Sequence, residues 1–158
     1  MTGSTSKKVV IRRFEREPLP GYVNPQTWLL DSAVEMISPQ GMVQVVSCRE
    51  IKYVCFVREF EGESGEIERR FFVSRPKGEG LWVRMRFRDG DYQDGLLAND
   101  LLQLNSLGFW IVPPDPGGNH QRLFVPRAAV THVAVLGVVG ALRKRKAGAP
   151  EEQIPLFE

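Results

Sequence analysis

With 158 residues, 42% of them hydrophobic, and a formal charge of only +2, the chain can bury the core of one ordinary domain or two very small ones, which excludes a disordered polyelectrolyte. So small a net charge does not mark a nucleic-acid binder, and local clusters of Arg and Lys say more than the total. The longest apolar run, Val133 to Leu142, is about half of the roughly 20 residues a transmembrane helix needs, and Lys7-Lys8 leads into charged residues and not into an apolar core. No membrane span or signal peptide is expected, and the chain reads as cytoplasmic.

In chain order, residues 1–8 read as a disordered start and 9–76 as a first β-barrel-like unit with an acidic loop and linker. Residues 77–142 read as a second such unit, and 143–158 as a basic, flexible tail. Val9-Val10-Ile11 opens a strand running toward Phe14, which Pro18-Leu19-Pro20-Gly21 ends or bends. Val34 to Ile37, Met42 to Val46 and Ile51 to Phe60 make further strands, the last rich in Val, Tyr and Phe. Glu61 to Glu66 is acidic and flexible, Phe71-Phe72-Val73 suggests another strand, and Arg75 to Gly80 is a linker.

Leu81 to Leu97 is the most legible stretch. Val83, Met85 and Phe87 alternate with Arg84, Arg86 and Arg88, the period of two that separates an apolar face from a charged one. Asp89-Gly90 supplies the turn of a hairpin. Helix is scarce: Asp100 to Leu104 fits a single turn before the strand Gly108 to Val112, and Pro113 to Asn119 reads as a rigid, exposed loop. Val133 to Leu142 reads as a buried strand followed by a turn or short helix.

The halves echo each other. Val46 to Val57 lies over Val125 to Leu136 without a gap, Glu35 to Pro39 faces Trp110 to Pro114, and Ile11 and Gly21 face Met85 and Gly95. The expected fold is therefore all-β, two copies of a strongly bent sheet of about five short strands. The pattern Gly21-Tyr22 followed by Ile51 to Gly62, with Arg86 to Gly90 and Gly95 in the second half, resembles an uncharacterised bacterial family that looks like the Sm-like small β-barrels. The resemblance implies a tandem Sm-like fold over most of Val9 to Gly137 and implies no activity.

Catalytic, metal and cofactor sites are not expected. His120 and His132 lie away from Cys or carboxylate clusters at ligand spacing. Asp89, Asp91 and Asp94 fail the calcium-loop pattern, because Gln93 and Asp94 replace the ligand and hinge glycine and no Glu closes the loop. Cys48 and Cys55 have no second pair for zinc and read as buried thiols.

Two surfaces remain for binding. Arg84, Arg86 and Arg88, about 7 Å apart on one face, are placed to meet successive phosphates of DNA or RNA, unless neighbouring acids balance them. Trp28, Trp82, Trp110 and Tyr92 serve as stacking platforms or as core. Beyond Leu142 come the basic cluster Arg143, Lys144, Arg145 and Lys146, a small-residue spacer, and Gln153-Ile154-Pro155-Leu156-Phe157. That pentapeptide resembles the motif by which bacterial polymerases and repair factors dock on the DNA sliding clamp. Gln153, Leu156 and Phe157 match, Ile154 replaces the usual Leu, and Pro155 departs from the commoner Ser or Asp. The alternative is that Leu156-Phe157 folds back onto the barrel.

The expected function is a non-enzymatic adaptor docking on the sliding clamp. The alternatives are a nucleic-acid-binding small-barrel protein using Arg84, Arg86, Arg88 and the basic cluster, and a protein-interaction or oligomerising module of unknown partner, in which edge strands pair between subunits.

Overall fold

Short runs of Val, Ile, Phe and Tyr punctuated by Gly, Pro and Asp favour a pleated surface over a helix, and the chain obeys that preference. The computed structural model describes residues 6–61, 65, 67, 69–114 and 118–140. These form strands β1 (Lys7–Arg13), β2 (Leu19–Val23), β3 (Ala33–Ile37), β4 (Val43–Ser47), β5 (Ile51–Val57), β6 (Gly80–Phe87), β7 (Tyr92–Leu97), β8 (Gly108–Val112), β9 (His120–Pro126) and β10 (Val130–Val139). Three short 3-10 turns, Cys48–Glu50, Leu101–Gln103 and Arg127–Ala129, are the helical elements among the described residues.

All the strands join one antiparallel sheet in the order β10-β6-β7-β8-β9-β5-β1-β2-β3-β4. The sheet is not closed: β4 and β10 are its two edges. Its first five strands stand in the order β5-β1-β2-β3-β4 and its last five in the order β10-β6-β7-β8-β9. The registers run in parallel as well. Val9 faces Gly21 and Val83 faces Gly95; Phe56 faces Val9 and Val135 faces Val83; Met36 faces Gln44 and Ile111 faces Leu123. A register shift interrupts β1·β5 at Arg12/Arg13 and β10·β6 at Val130/His132. A 3-10 turn precedes the last strand of each half.

Packing follows from alternation on strands covered on both faces. Val9 and Ile11 of β1, with Val54 and Phe56 of β5, point into one core together with Trp28, Met36 and Phe124. Their neighbours Val10, Tyr53, Cys55 and Val57 point into a second core with Met85, Phe87 and Leu123. Because β1 and β5 are covered on both sides, they read as near-continuous apolar runs and not as alternating ones. Cys48 lies in the first core and Cys55 in the second, neither of them in a disulfide, and burial pushes the Cys48 thiol up from its ordinary value.

Four expectations need correction. Leu19–Val23 is a strand and not a break, although it contains Pro20 and Gly21. Gly21 is required there, because a Cβ on it would stand 2.7 Å from the Ile37 carbonyl oxygen where β2 approaches β3. Phe71-Phe72-Val73 is irregular, held to the sheet by Asp94, whose backbone N–H donates to the Arg70 carbonyl at 2.7 Å. Finally, β10 is an edge and not a buried strand: Val135, Leu136 and Val138 are exposed. β5 also stops at Val57, where the Arg58 N–H turns away to the Asn119 carbonyl.

Candidate functional site

The β6–β7 hairpin carries the charged stripe, and its loop sets what each arginine meets. The Gly90 N–H donates to the Phe87 carbonyl at 2.9 Å and the Phe87 N–H to the Asp91 carbonyl at 2.8 Å, with Gly90 at φ +96°. Arg88, Asp89 and Gly90 thus form a three-residue loop that needs glycine at its last position. The resulting register sets Arg86 opposite Tyr92 and Arg84 opposite Asp94; a two-residue Asp89-Gly90 turn would have put Gly95 opposite Arg84.

Arg84 is engaged within the protein. Its Nε and Nη2 donate to the two oxygens of Asp94 at 2.6 and 3.1 Å, and its guanidinium lies 4.6 Å from the Phe71 ring centre. Asp94, wholly buried, also accepts from the Trp82 indole Nε1 at 3.1 Å and the Phe72 backbone N–H at 3.4 Å. A buried carboxylate with four donors around it is satisfied, and it fastens the segment after Arg70 to the sheet. The hydrogen bond to Asp94 is the main cause holding the Arg84 guanidinium above its ordinary pKa.

Arg88 is structural too. It donates to the Arg49 carbonyl at 2.6 Å and the Ala128 carbonyl at 3.3 Å, and stacks 3.9 Å from the Phe14 ring centre. One side chain so ties together the 3-10 turns of both halves. Arg86 is exposed, 5.9 Å from the ring centre of Tyr92, which is itself exposed. The stripe is a single face in sequence, yet two of its three guanidinium groups hold the fold and the third faces water.

The hairpin acids have separate tasks. Asp89 and Asp91 receive Lys52 at 2.9 and 2.6 Å, and Asp91 also faces Arg70 at 3.3 Å. The hydrogen bond from Lys52 is the main cause holding the Asp91 carboxyl below its ordinary range. Beside them the Arg12 Nε is buried without a hydrogen-bond partner. Of the aromatic residues, Trp28 is buried in the first core, edge-on to Phe56 and Phe124, while Trp110 carries Arg122 4.2 Å from its ring centre. Among the described residues, no group of three or more His, Cys, Asp or Glu is placed to hold a metal ion, and no helix is long and apolar enough to cross a membrane.

Arg143, Lys144, Arg145 and Lys146 and the peptide Gln153, Ile154, Leu156 and Phe157 lie outside the described residues. Sequence reasoning missed the partner of Arg84, since a two-residue Asp89-Gly90 turn does not set Asp94 opposite it; a three-residue loop ending at Gly90 does. It also missed the exposed valines of the sheet edges, Val43 and Val45 on β4 and Val135 on β10. In Val43-Gln44-Val45-Val46 the signal was present, as apolar side chains on both faces of one strand.

The model of a family of unknown function, DUF6982, matches residues 5–137, which takes in every described strand up to the last two residues of β10. No curated protein and no solved structure matches the chain.

Proposed function

The chain belongs to that family of unknown function, and on this premise we propose that it is a non-enzymatic, cytoplasmic adaptor that docks on the bacterial DNA sliding clamp through Gln153 to Phe157. The observation that carries this reading is the peptide itself, Gln-Ile-Pro-Leu-Phe. It offers one polar and two apolar anchors, the pattern of a short extended segment that binds a pocket with modest affinity after its ordering cost. The segment falls beyond the family match, so docking would be a property of this chain added to the shared scaffold. The cations Arg143 to Lys146 would add a salt-sensitive contact to DNA threaded through the clamp.

For the scaffold, we propose two copies of an Sm-like unit in tandem. The matched strand orders, registers and 3-10 turns of the two halves support it. The engagement of Arg84 and Arg88 within the protein favours an adaptor over a barrel that reads nucleic acid with its arginine stripe.

The test is titration of the full chain against purified bacterial clamp. Saturable binding that disappears on joint Leu156→Ala and Phe157→Ala substitution supports the proposal. No binding, or binding indifferent to those substitutions, rejects it. The nucleic-acid reading keeps one favouring observation, the exposed Arg86–Tyr92 pair. It predicts oligonucleotide binding that weakens steeply with salt and falls on Arg86→Ala.

A further inference from the structure

From the way the two halves of the sheet join, we infer that copies of this chain assemble head to tail, the β10 edge of one copy pairing antiparallel with the β4 edge of the next. This inference is independent of the docking peptide. The halves meet inside the chain where β5, the last strand of the first half, pairs with β9, the fourth strand of the second. In that seam Val54 faces Phe124, Cys55 faces Leu123 and Phe56 faces Arg122.

The corresponding strands at the far ends of the sheet are β10 and β4, and both are left as edges. The same correspondence relates Val54, Cys55 and Phe56 to Val133, Ala134 and Val135, because those residues meet Met85, Arg84 and Val83 as their counterparts meet Ile11, Val10 and Val9. It relates Phe124, Leu123 and Arg122 to Val45, Gln44 and Val43, since Phe124 faces Trp110 as Val45 faces Glu35. Copying the seam to a second molecule therefore sets Val133 opposite Val45, Ala134 opposite Gln44, and Val135 opposite Val43.

Two independent features of the edges agree. That register would bring together Val43, Val45 and Val135, which are 61%, 60% and 57% exposed in the single chain. Directly opposed β-branched residues are a stabilising cross-strand arrangement, and three bare valines on open edges are otherwise a liability. Second, sheet edges that must stay single are usually guarded by Lys, Pro or inward-pointing charge. Here β4 reads Val-Gln-Val-Val-Ser and β10 Val-Thr-His-Val-Ala-Val-Leu-Gly-Val-Val, with no Lys, Arg, Asp, Glu or Pro in either.

Since β4 and β10 are different surfaces, the contact is heterologous. It propagates into a ring where the rotation closes and into a filament where it does not.

Sedimentation velocity of the full chain over a wide concentration range, together with two single-edge variants, tests the inference. Val45→Lys blocks one edge and Val135→Lys the other; both positions are exposed, so the fold survives, which matching circular-dichroism melts would verify. The expected results are an assembly larger than a monomer for the unaltered chain, monomers for each variant alone, and a one-to-one heterodimer when the two variants are mixed, since one intact edge of each kind remains. Leu102→Lys, on an exposed 3-10 turn away from both edges, should assemble like the unaltered chain. A full chain that stays monomeric at every concentration overturns the inference. So does a single-edge variant that still self-associates, because that would mean like-with-like pairing or another surface.

Discussion

Replacing Arg84 by Met leaves the Asp94 carboxylate fully buried and without its guanidinium fork, while Trp82 Nε1 and the Phe72 N–H still donate to it. Removing one partner of a buried ion pair costs about 3 to 5 kcal/mol, because the other charge stays desolvated and uncompensated. The lower end applies here: the Arg84 side chain is 37% exposed, so water already screens part of the attraction, and two donors remain. We expect a loss of about 3 kcal/mol, equivalent to roughly 6 to 12 °C in Tm for a chain of this size. The double variant Arg84→Met/Asp94→Leu removes the buried charge altogether. What it forfeits is the hydrogen bonds of Trp82 and Phe72, about 1 kcal/mol each, partly offset by new apolar contact. It should therefore be more stable than the single variant by about 1 to 2 kcal/mol. Urea unfolding followed by tryptophan fluorescence measures both by linear extrapolation, and Trp82 reports on the site itself. A single variant costing under about 1 kcal/mol, in the range of a surface bridge, would refute the reasoning. So would a double variant no more stable than the single.

Two other perturbations are accessible to the same unfolding assay. A Cβ at Gly108 would stand 2.4 Å from the Val125 carbonyl oxygen and 2.6 Å from the Phe124 ring, where backbone cannot yield cheaply; Gly108→Ala should cost about 2 kcal/mol or more, and an unchanged midpoint would mean that β8 moves off β9 freely. Asp91 has its folded-state pKa lowered by Lys52, so its contribution is present above the unfolded carboxylate value near about 3.9 and is lost as pH falls through the lower folded value. Stability curves for the unaltered chain and Asp91→Asn should accordingly differ at neutral pH and converge below about pH 4, whereas a gap that persists into acid would show the carboxylate charge to be irrelevant.

Local order was legible because it depends on neighbours along the chain. The alternation of Val83, Met85 and Phe87 with three arginines specifies a strand wherever it is placed, and Asp89-Gly90 specifies a reversal. The likeness of Val46–Val57 to Val125–Leu136 could be read without coordinates, and the pattern Gln153 to Phe157 on which the docking proposal rests is likewise a matter of side chains in sequence. The strand Leu19–Val23 was hidden because Pro20 and Gly21 carry a strong breaker signal locally, and only the close approach of β3 explains why glycine stands there.

Tertiary structure alone decided which side chains each surface leaves exposed. Alternation places Arg84, Arg86 and Arg88 on one face, but a carboxylate from β7 and two carbonyls from distant turns decide which of them face water. An apolar run such as Val133 to Val139 reads identically whether one neighbour or two cover it, and here β6 is the neighbour on one side while no other described strand pairs with it, Arg75 Nη2 donating to the Val138 carbonyl. Pairing partners far apart in sequence are chosen by the summed fit of whole strands, a quantity that no local window contains. The local code determined that the chain forms strands; the long-range fit determined that β4 and β10 are its edges.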